Sequence, residues 1–228
     1  MFKFEAVQYQ YPNQSTTFKF DFTLTNTGIT AILGANGAGK STLIRLMAGL
    51  TSPAKGSIYF QQQLINAREL PCDFYQNIGI VLQNPETMLF NSTVFDELAY
   101  GPSQNFPATK VQSMVQKTAQ TFALEPLLNL SPTQLSGGQK KLVSIACILI
   151  NQPQLLILDE PFGGLSLENS NLILKVLQEY KQTHKIIIAH HDFQSIINLI
   201  DEVLIVENGQ NNVPIKDITD IIQLANTY

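Results

Sequence analysis

The chain has 228 residues, 44% of them hydrophobic, which is enough for one substantial core with a small appended lobe and unlike a disordered or repetitive chain. The formal net charge is -4 and only Arg45 and Arg68 carry guanidinium groups, a poor electrostatic basis for general nucleic-acid binding. The longest nearly apolar run, Leu142 to Ile150, is far below the roughly 18 residues of a spanning helix, and Met1 to Gln10 lacks the basic and apolar regions of a secretory signal.

In chain order, Val7, Tyr9 and Tyr11 and then Phe18, Phe20 and Phe22 alternate with a period of two, predicting short strands joined by a turn over Asn13 to Thr17. Ile29 to Leu33 predicts a buried strand running straight into a glycine-rich loop. Ser41 to Leu50 follows with Leu43, Leu46, Met47 and Leu50 on one helical stripe, ended by Gly49 and Pro53. Ser57 to Phe60, with Gln61, Gln62 and Gln63 as a solvated turn, predicts an exposed hairpin. From Asn84 to about Ile150 helical spacing takes over, broken by Pro102, Pro107, Pro126 and Pro132. Strands resume at Leu155 to Leu158, Lys185 to Ala189 and Val203 to Val206, each with a plausible helix before it, the alternation of a parallel α/β sheet. The expected organisation is thus one domain, with a core of residues 1–83 and 151–228 interrupted by a helical subdomain of residues 84–150. Cys72 and Cys147 are too few for a disulfide framework or a metal cluster, a buried Cys147 thiol is expected, and a reducing cytosol fits.

Gly34, Ala35, Asn36, Gly37, Ala38, Gly39, Lys40 and Ser41 form a P-loop pattern between strand and helix. In it the backbone amides and the positive helix end hold phosphates, Lys40 reaches the β and γ groups, and Ser41 ligates magnesium. Leu155 to Leu158 ends in Asp159 and Glu160, at the strand end where ligands of open α/β sheets sit. With a P-loop present, Asp159 fits the magnesium shell and Glu160 fits polarisation of the attacking water. Leu135, Ser136, Gly137, Gly138 and Gln139 precede a helix with Leu142, Ile145, Ala146 and Leu149 at helical spacing, a second phosphate-binding element that implies a partner chain. For Lys140 and Lys141 a plain solvated face serves as an explanation as well as any role.

The combination GANGAGKS, LSGGQ and LLILDEP, in that order, resembles the ATPase subunit of an ABC transporter over essentially the whole chain. The resemblance implies a RecA-like P-loop NTPase core with an N-terminal antiparallel β subdomain and the inserted helical subdomain. It implies ATP and Mg2+ as ligands and head-to-tail pairing with a second ATPase subunit, a copy or a paralogue. ATP then lies between one chain's P-loop, with Thr42 completing the nucleotide-binding set, and the other's Leu135 to Gln139. It assigns Gln83 to a magnesium contact that links nucleotide to the helical subdomain, His191 to the γ-phosphate with His190 in the position before it, and Tyr11 to adenine stacking, for which Tyr9 on the same strand face is the alternative residue and core packing the rival reading.

The stretch Val81 to Glu86, with Leu89, Phe90, Thr93, Val94, Tyr100, Gly101 and Pro102, is similar to the ATPases of energy-coupling factor transporters, importers of vitamins or transition-metal ions. That likeness implies a place on the cytoplasmic face of a membrane, a transmembrane coupling component and a substrate-binding membrane component as partners, and no nucleic acid. Met88, Leu89 and Phe90 would then receive coupling helices, or pack within the subdomain instead. Two departures stand out: Ser166 occupies the place where the family commonly has an aspartate, and the residues after Val206 are few for the longer C-terminal extension that many such ATPases carry. The alternatives are a soluble ABC ATPase unconnected with transport, or an ATP-binding structural half of an asymmetric dimer. The DNA-acting kind needs a long insertion between Gln83 and Ser136, and the ribosomal kind usually has two domains in tandem.

Overall fold

The structure, a computed structural model, describes residues 2–13, 15–24, 28–192, 194, 196–211, 214–217 and 220. Most of the C-terminal segment on which the extension expectation falls lies outside the described residues.

The N-terminal strands β1 (Phe2–Gln10) and β2 (Thr17–Thr23) pair antiparallel, and β4 (Lys55–Phe60) lies on the other side of β1. Within β1 the ladder slips between Phe4 and Val7, where Ala6 takes φ 47°. This bulge moves the inward set from even positions (Phe2, Phe4) to odd ones (Val7), so the alternation that begins at Val7 is only the second half of a longer strand. The hairpin closes through Gln61 and Gln62 alone, at φ 50° and 70°. Both central residues at positive φ match the twist of a two-residue turn, and Gln63 enters β5 (Gln63–Leu64) opposite Phe60.

β3 (Ile29–Leu33) is buried throughout and feeds α1 (Lys40–Met47). The helix stops one turn earlier than the leucine stripe predicts. Gly49 at φ 64° turns the chain, its N–H reaching Leu46 O and that of Leu50 reaching Arg45 O, the bond pair of a Schellman end. Leu50 is left outside, 52% exposed.

After the single turn α2 (Phe74–Asn77) and β6 (Ile78–Val81), the chain makes only helices until residue 155. These are α3 (Val94–Tyr100), α4 (Ala108–Thr121), α5 (Gly137–Leu149) and short 3-10 turns. α4 turns Val111, Val115 and Ala119 inward at spacings of four. α5 is buried from Lys141 to Ala146 and packs on α3, β6 and α6 (Leu167–Tyr180). Then come β7 (Leu155–Asp159), β8 (Lys185–Ala189), β9 (Glu202–Glu207) and the short β10 (Gln210–Asn211). In place of the helix expected before β9, the described residues form a 3-10 turn at Ile197–Leu199, from which Asp201 N–H returns at once to Ile29 O.

The strand order is β5-β4-β1-β2-β10-β9-β3-β8-β7-β6. The five strands from β9 to β6 are parallel and buried, the other end is antiparallel, and β10 joins them. This is the mixed sheet expected of an α/β P-loop core. Leu43, Ile44, Leu46 and Met47 of α1 share one apolar cluster with Phe4, Phe20 and Phe60 of the antiparallel part and with Ile157, Ile187 and Leu204 of the parallel part. α1 is therefore held between the two halves of the sheet, and the P-loop helix inherits the rigidity of both.

Candidate active site

Four parallel strands end at one level. Val81 pairs with Leu158, and Ala189 with both Asp159 and Ile32. The segments that leave these strands are thereby gathered at one carboxyl edge: Gln83 after β6, Glu160 after β7, His190 and His191 after β8, and the glycine loop after β3. Such an edge is where open parallel sheets bind ligands.

The loop from Gly34 to Gly39 curls over this edge. Gly34 sits at φ 153°, and a Cβ there would lie 2.1 Å from Val206 O; Gly39 sits at φ 116°, and its Cβ would strike the Phe18 ring at 2.8 Å. Both places need glycine for backbone conformation and for space at once. Lys40 is buried, its Nζ donating to Gly34 O at 2.7 Å and Ala35 O at 3.3 Å, with Glu160 Oε1 at 3.8 Å. Asn36, Gly37, Gly39, Lys40, Ser41, Thr42, Gln83, Glu160 and Phe18 line a cavity of about 380 Å³. The strand pattern marks Phe18 only as an inward ring and gives no sign of its place at this cavity. Ala35 is exposed and Ala38 buried, so the first lies on the open side of the loop and the second anchors it. Tyr11 stands half-buried beside this cavity, edge-on to Phe18 with centroids 6.0 Å apart, its hydroxyl 3.2 Å from Thr42 Oγ1.

Asp159 is 4% exposed, and its Oδ1 has no hydrogen-bond partner, while Ser41 hydrogen-bonds the same carboxyl. Burial pushes the Asp159 pKa up, with Glu160 adding to the rise and Ser41, Lys40 and Lys141 opposing it. An orphaned buried carboxylate oxygen beside a hydroxyl and the exposed Gln83 fits a hard divalent cation such as Mg2+.

Glu160 adopts φ 49°, a left-handed conformation that costs a non-glycine residue of the order of 1–3 kcal/mol. Its N–H is fixed by Ala189 O at 2.9 Å. Its Oε2 meets two imidazoles, His190 Nδ1 at 2.7 Å and His191 Nδ1 at 2.8 Å. Burial acts to raise its pKa, but the hydrogen bonds and charge of the two histidines outweigh it, and the carboxyl titrates below its usual range. His191 is the exposed member, lining with Asn36, Gln83, Lys141, Glu160 and Gly163 an adjoining cavity of about 280 Å³. His190 is almost wholly buried against Phe162. Sequence reasoning leaves His190 as a neighbour of His191; the structure puts both on the same oxygen, because the chain leaves the sheet after Ala189 and strand alternation no longer separates them.

The reading of Lys140 and Lys141 as a solvated face holds for one of them. Lys140 pairs with the exposed Glu86 at 2.7 Å. Lys141 is 3% exposed, and its Nζ donates to Gln83 O at 2.5 Å and Glu160 O at 3.5 Å. Burial lowers its pKa, against the attraction of Asp159 and Glu160. It straps α5 to the strand ends that carry Gln83 and Glu160. The inward turn of α5 at this position is the available signal, since Lys141 precedes Leu142 within a buried run.

Ser136 caps α5 through its side chain and a reciprocal bond from its own N–H to Gln139 Oε1 at 2.9 Å, while Leu135 is buried and anchors the loop. Ser136 and Gly137 are exposed, and a Cβ on Gly137 would meet nothing within 4 Å. The amide end of α5 is thus open to solvent at Ser136 and Gly137. Ser166 is the N-cap of α6, accepting from Asn169 N–H at 3.2 Å. Serine and aspartate serve that cap about equally, so the departure at this position keeps the helix start and drops only the charge.

Of the three apolar residues after Gln83, Met88 and Leu89 pack on the core, Met88 Sδ accepting from Leu82 N–H at 3.4 Å. Only Phe90 stays exposed, at 68%, edge-on to Tyr100. The backbone N–H groups of Phe90 and Asn91 both donate to the buried carboxylate of Glu97, which fixes the loop that presents this ring. Cys147 is half-buried, with burial pushing its thiol pKa up, and Cys72 is exposed. No helix among the described residues is long and apolar enough to cross a membrane.

A family model described as ABC transporter matches residues 18–163. The nickel import ATP-binding protein NikO of Rhodobacter capsulatus is 36% identical over 92% of this chain and 86% of its own length. The nickel import ATP-binding protein LarO of Lactiplantibacillus plantarum is 35% identical over 93% and 91%. Among solved structures, cbiO1 from Clostridium perfringens, described as part of the ABC transporter complex cbiONQ, superimposes with a TM-score of 0.83 at 29% identity, covering 99% of this chain and 92% of that one.

Proposed function

The chain belongs to the ABC transporter family and is an ABC ATPase, and on that premise we propose that it powers an importer for a small transition-metal ion or vitamin. The observation that carries the proposal is the solvent-open amide end of α5 on a chain that already holds a complete P-loop. One chain needs one phosphate cradle, so the second serves another chain. ATP is then shared between the P-loop of one ATPase domain and Ser136, Gly137 and Gly138 of another, met in its simplest form by a second copy.

In this reading the amides from Gly37 to Thr42 and the Lys40 ammonium hold the β- and γ-phosphates. Tyr11 or its neighbour Phe18 borders the base, and His191 reaches the γ-phosphate. Ser41, Asp159 and Gln83 would hold Mg2+, which neutralises charge on the phosphate oxygens when bound. Glu160, ionised because two imidazoles face it, accepts the proton of the attacking water. Residues 84–150 move as a unit on the strap of Lys141 and the loop after Gln83, so nucleotide-driven closing of two domains reaches the exposed Phe90 and Tyr100. The nickel import relatives and the cbiO1 likeness support the importer assignment, and with it a peripheral position on the cytoplasmic face of a membrane.

Detergent extraction of native membranes with the tagged chain, followed by identification of the proteins that co-purify, tests this. A polytopic membrane protein in stoichiometric yield is expected. Recovery of the chain free of any membrane protein contradicts the transporter role.

A further inference from the structure

We propose that Glu160, His190 and His191 form a binding site for a divalent transition-metal ion such as Zn2+, Co2+ or Ni2+, and that its occupation blocks ATP hydrolysis. The three residues each offer one ligand atom, and these atoms all lie within 4.8 Å of one another. Glu160 Oε2 is 2.7 Å from His190 Nδ1 and 2.8 Å from His191 Nδ1. In a tetrahedral site with metal–ligand bonds of ~2.0–2.1 Å, neighbouring ligand atoms stand about 3.3 Å apart. Each histidine nitrogen has to draw back from Oε2 by about 0.5 Å, and the two nitrogens, within 4.8 Å of each other, have to settle near the same spacing, to admit an ion of that geometry. Two imidazole nitrogens and one carboxylate oxygen leave a fourth place for water, and such a set selects borderline transition metals over Mg2+ or Ca2+.

Charge around the site permits this. Two lysines oppose an arriving dication: Lys40 Nζ stands 3.8 Å from the other oxygen, Oε1, and Lys141 Nζ stands 3.5 Å from the Glu160 backbone carbonyl, where burial lowers its pKa and so weakens its hold on a proton. Asp159, the adjacent acid at the same strand end, has an oxygen without a hydrogen-bond partner and supplies compensating negative charge. A neutral imidazole keeps its single proton by moving it from Nδ1 to Nε2, so only a charged imidazole releases a proton when the metal binds. The bound ion draws charge from the whole carboxylate, so that neither oxygen is basic enough to take the proton of the attacking water, and it ties His191 down beside them. Hydrolysis stops while the P-loop is untouched.

Titration of the purified chain with Co2+, in the absence of nucleotide and Mg2+, reads the site directly through its visible d–d absorption. Saturation at one equivalent is expected, without the near-ultraviolet thiolate band that coordination by Cys72 would produce. His190→Gln and Glu160→Gln should each weaken binding by more than the roughly 10- to 100-fold that loss of an outer-shell partner costs, and Zn2+ should displace Co2+ and inhibit turnover of the wild type over the same concentration range. Circular dichroism checks that the variants are folded; if His190→Gln is not, Glu160→Gln decides. Absence of a band saturating at one equivalent, a thiolate band, or unchanged binding in the folded variants overturns the site. The titration needs neither ATP nor a membrane partner, so its failure is distinct from failure of the importer reading.

Discussion

Replacing Glu160 with glutamine is expected to lower the steady-state rate of ATP hydrolysis by about two to four orders of magnitude and to leave ATP binding nearly unchanged. The split follows from the two sides of the residue. Its backbone is fixed in a left-handed conformation by the Ala189 carbonyl and does not depend on the side-chain charge. Its carboxylate is the group that two histidines keep ionised at neutral pH. An amide of the same shape fills the space but has no lone pair basic enough to accept a proton from water. In the proposed site the phosphates rest on Lys40 and the loop amides, which the long 3.8 Å ion pair of Lys40 links to Glu160. Phosphate release and fluorescent-nucleotide binding, measured on the same preparation, separate the two effects. A variant that turns over ATP at the wild-type rate removes Glu160 from the role of general base.

The second large effect belongs to Lys40. Lys40→Ala should weaken ATP binding by about 2–5 kcal/mol, a factor of roughly 30 or more, and abolish turnover with it. The ammonium is already buried in the loop on the carbonyls of Gly34 and Ala35. Water hydrates such a group poorly, so phosphate oxygens are its best available partners and its removal leaves their charge uncompensated. Calorimetric titration with ATP measures the loss. Because Glu160 also gives up its buried counter-ion, a thermal melt of the variant shows how much of the change is lost folding.

The parts of this site that the sequence shows plainly are those whose chemistry is local in the chain. The P-loop spans eight consecutive residues between a strand and a helix, and Asp159 and Glu160 are adjacent at a strand end, so each can be found without knowing what packs on it. Lys141 cannot be read this way. Its neighbours Gln83 and Glu160 are brought to it by β6 and β7, and a lysine on a helix is ordinarily solvated. His190 escapes notice for a related reason: adjacent residues are expected to face opposite ways, and only the exit of the chain from β8 turns both rings to one carboxylate. In the fold, the Ala6 bulge hides the first half of β1 by reversing the parity of its inward residues, and the Gly49 turn cuts off a leucine that continues the helical stripe perfectly well on paper. Met88 and Leu89 look available for docking because hydropathy reports side-chain type and not the presence of a core beneath; Glu97 fixes the loop that turns them in and leaves Phe90 out.

The central claim is that the amide end of α5 completes an ATP site on a second copy of the chain. Sedimentation of the Glu160→Gln chain with and without ATP tests it most directly, since that variant holds nucleotide without consuming it. ATP is expected to double the sedimenting mass, and adding Gly137→Asp, on the open face of the helix end, is expected to return it to the mass of one chain while ATP remains bound. A mass that stays at one chain with ATP fully bound, or a doubled mass indifferent to Gly137→Asp, contradicts it.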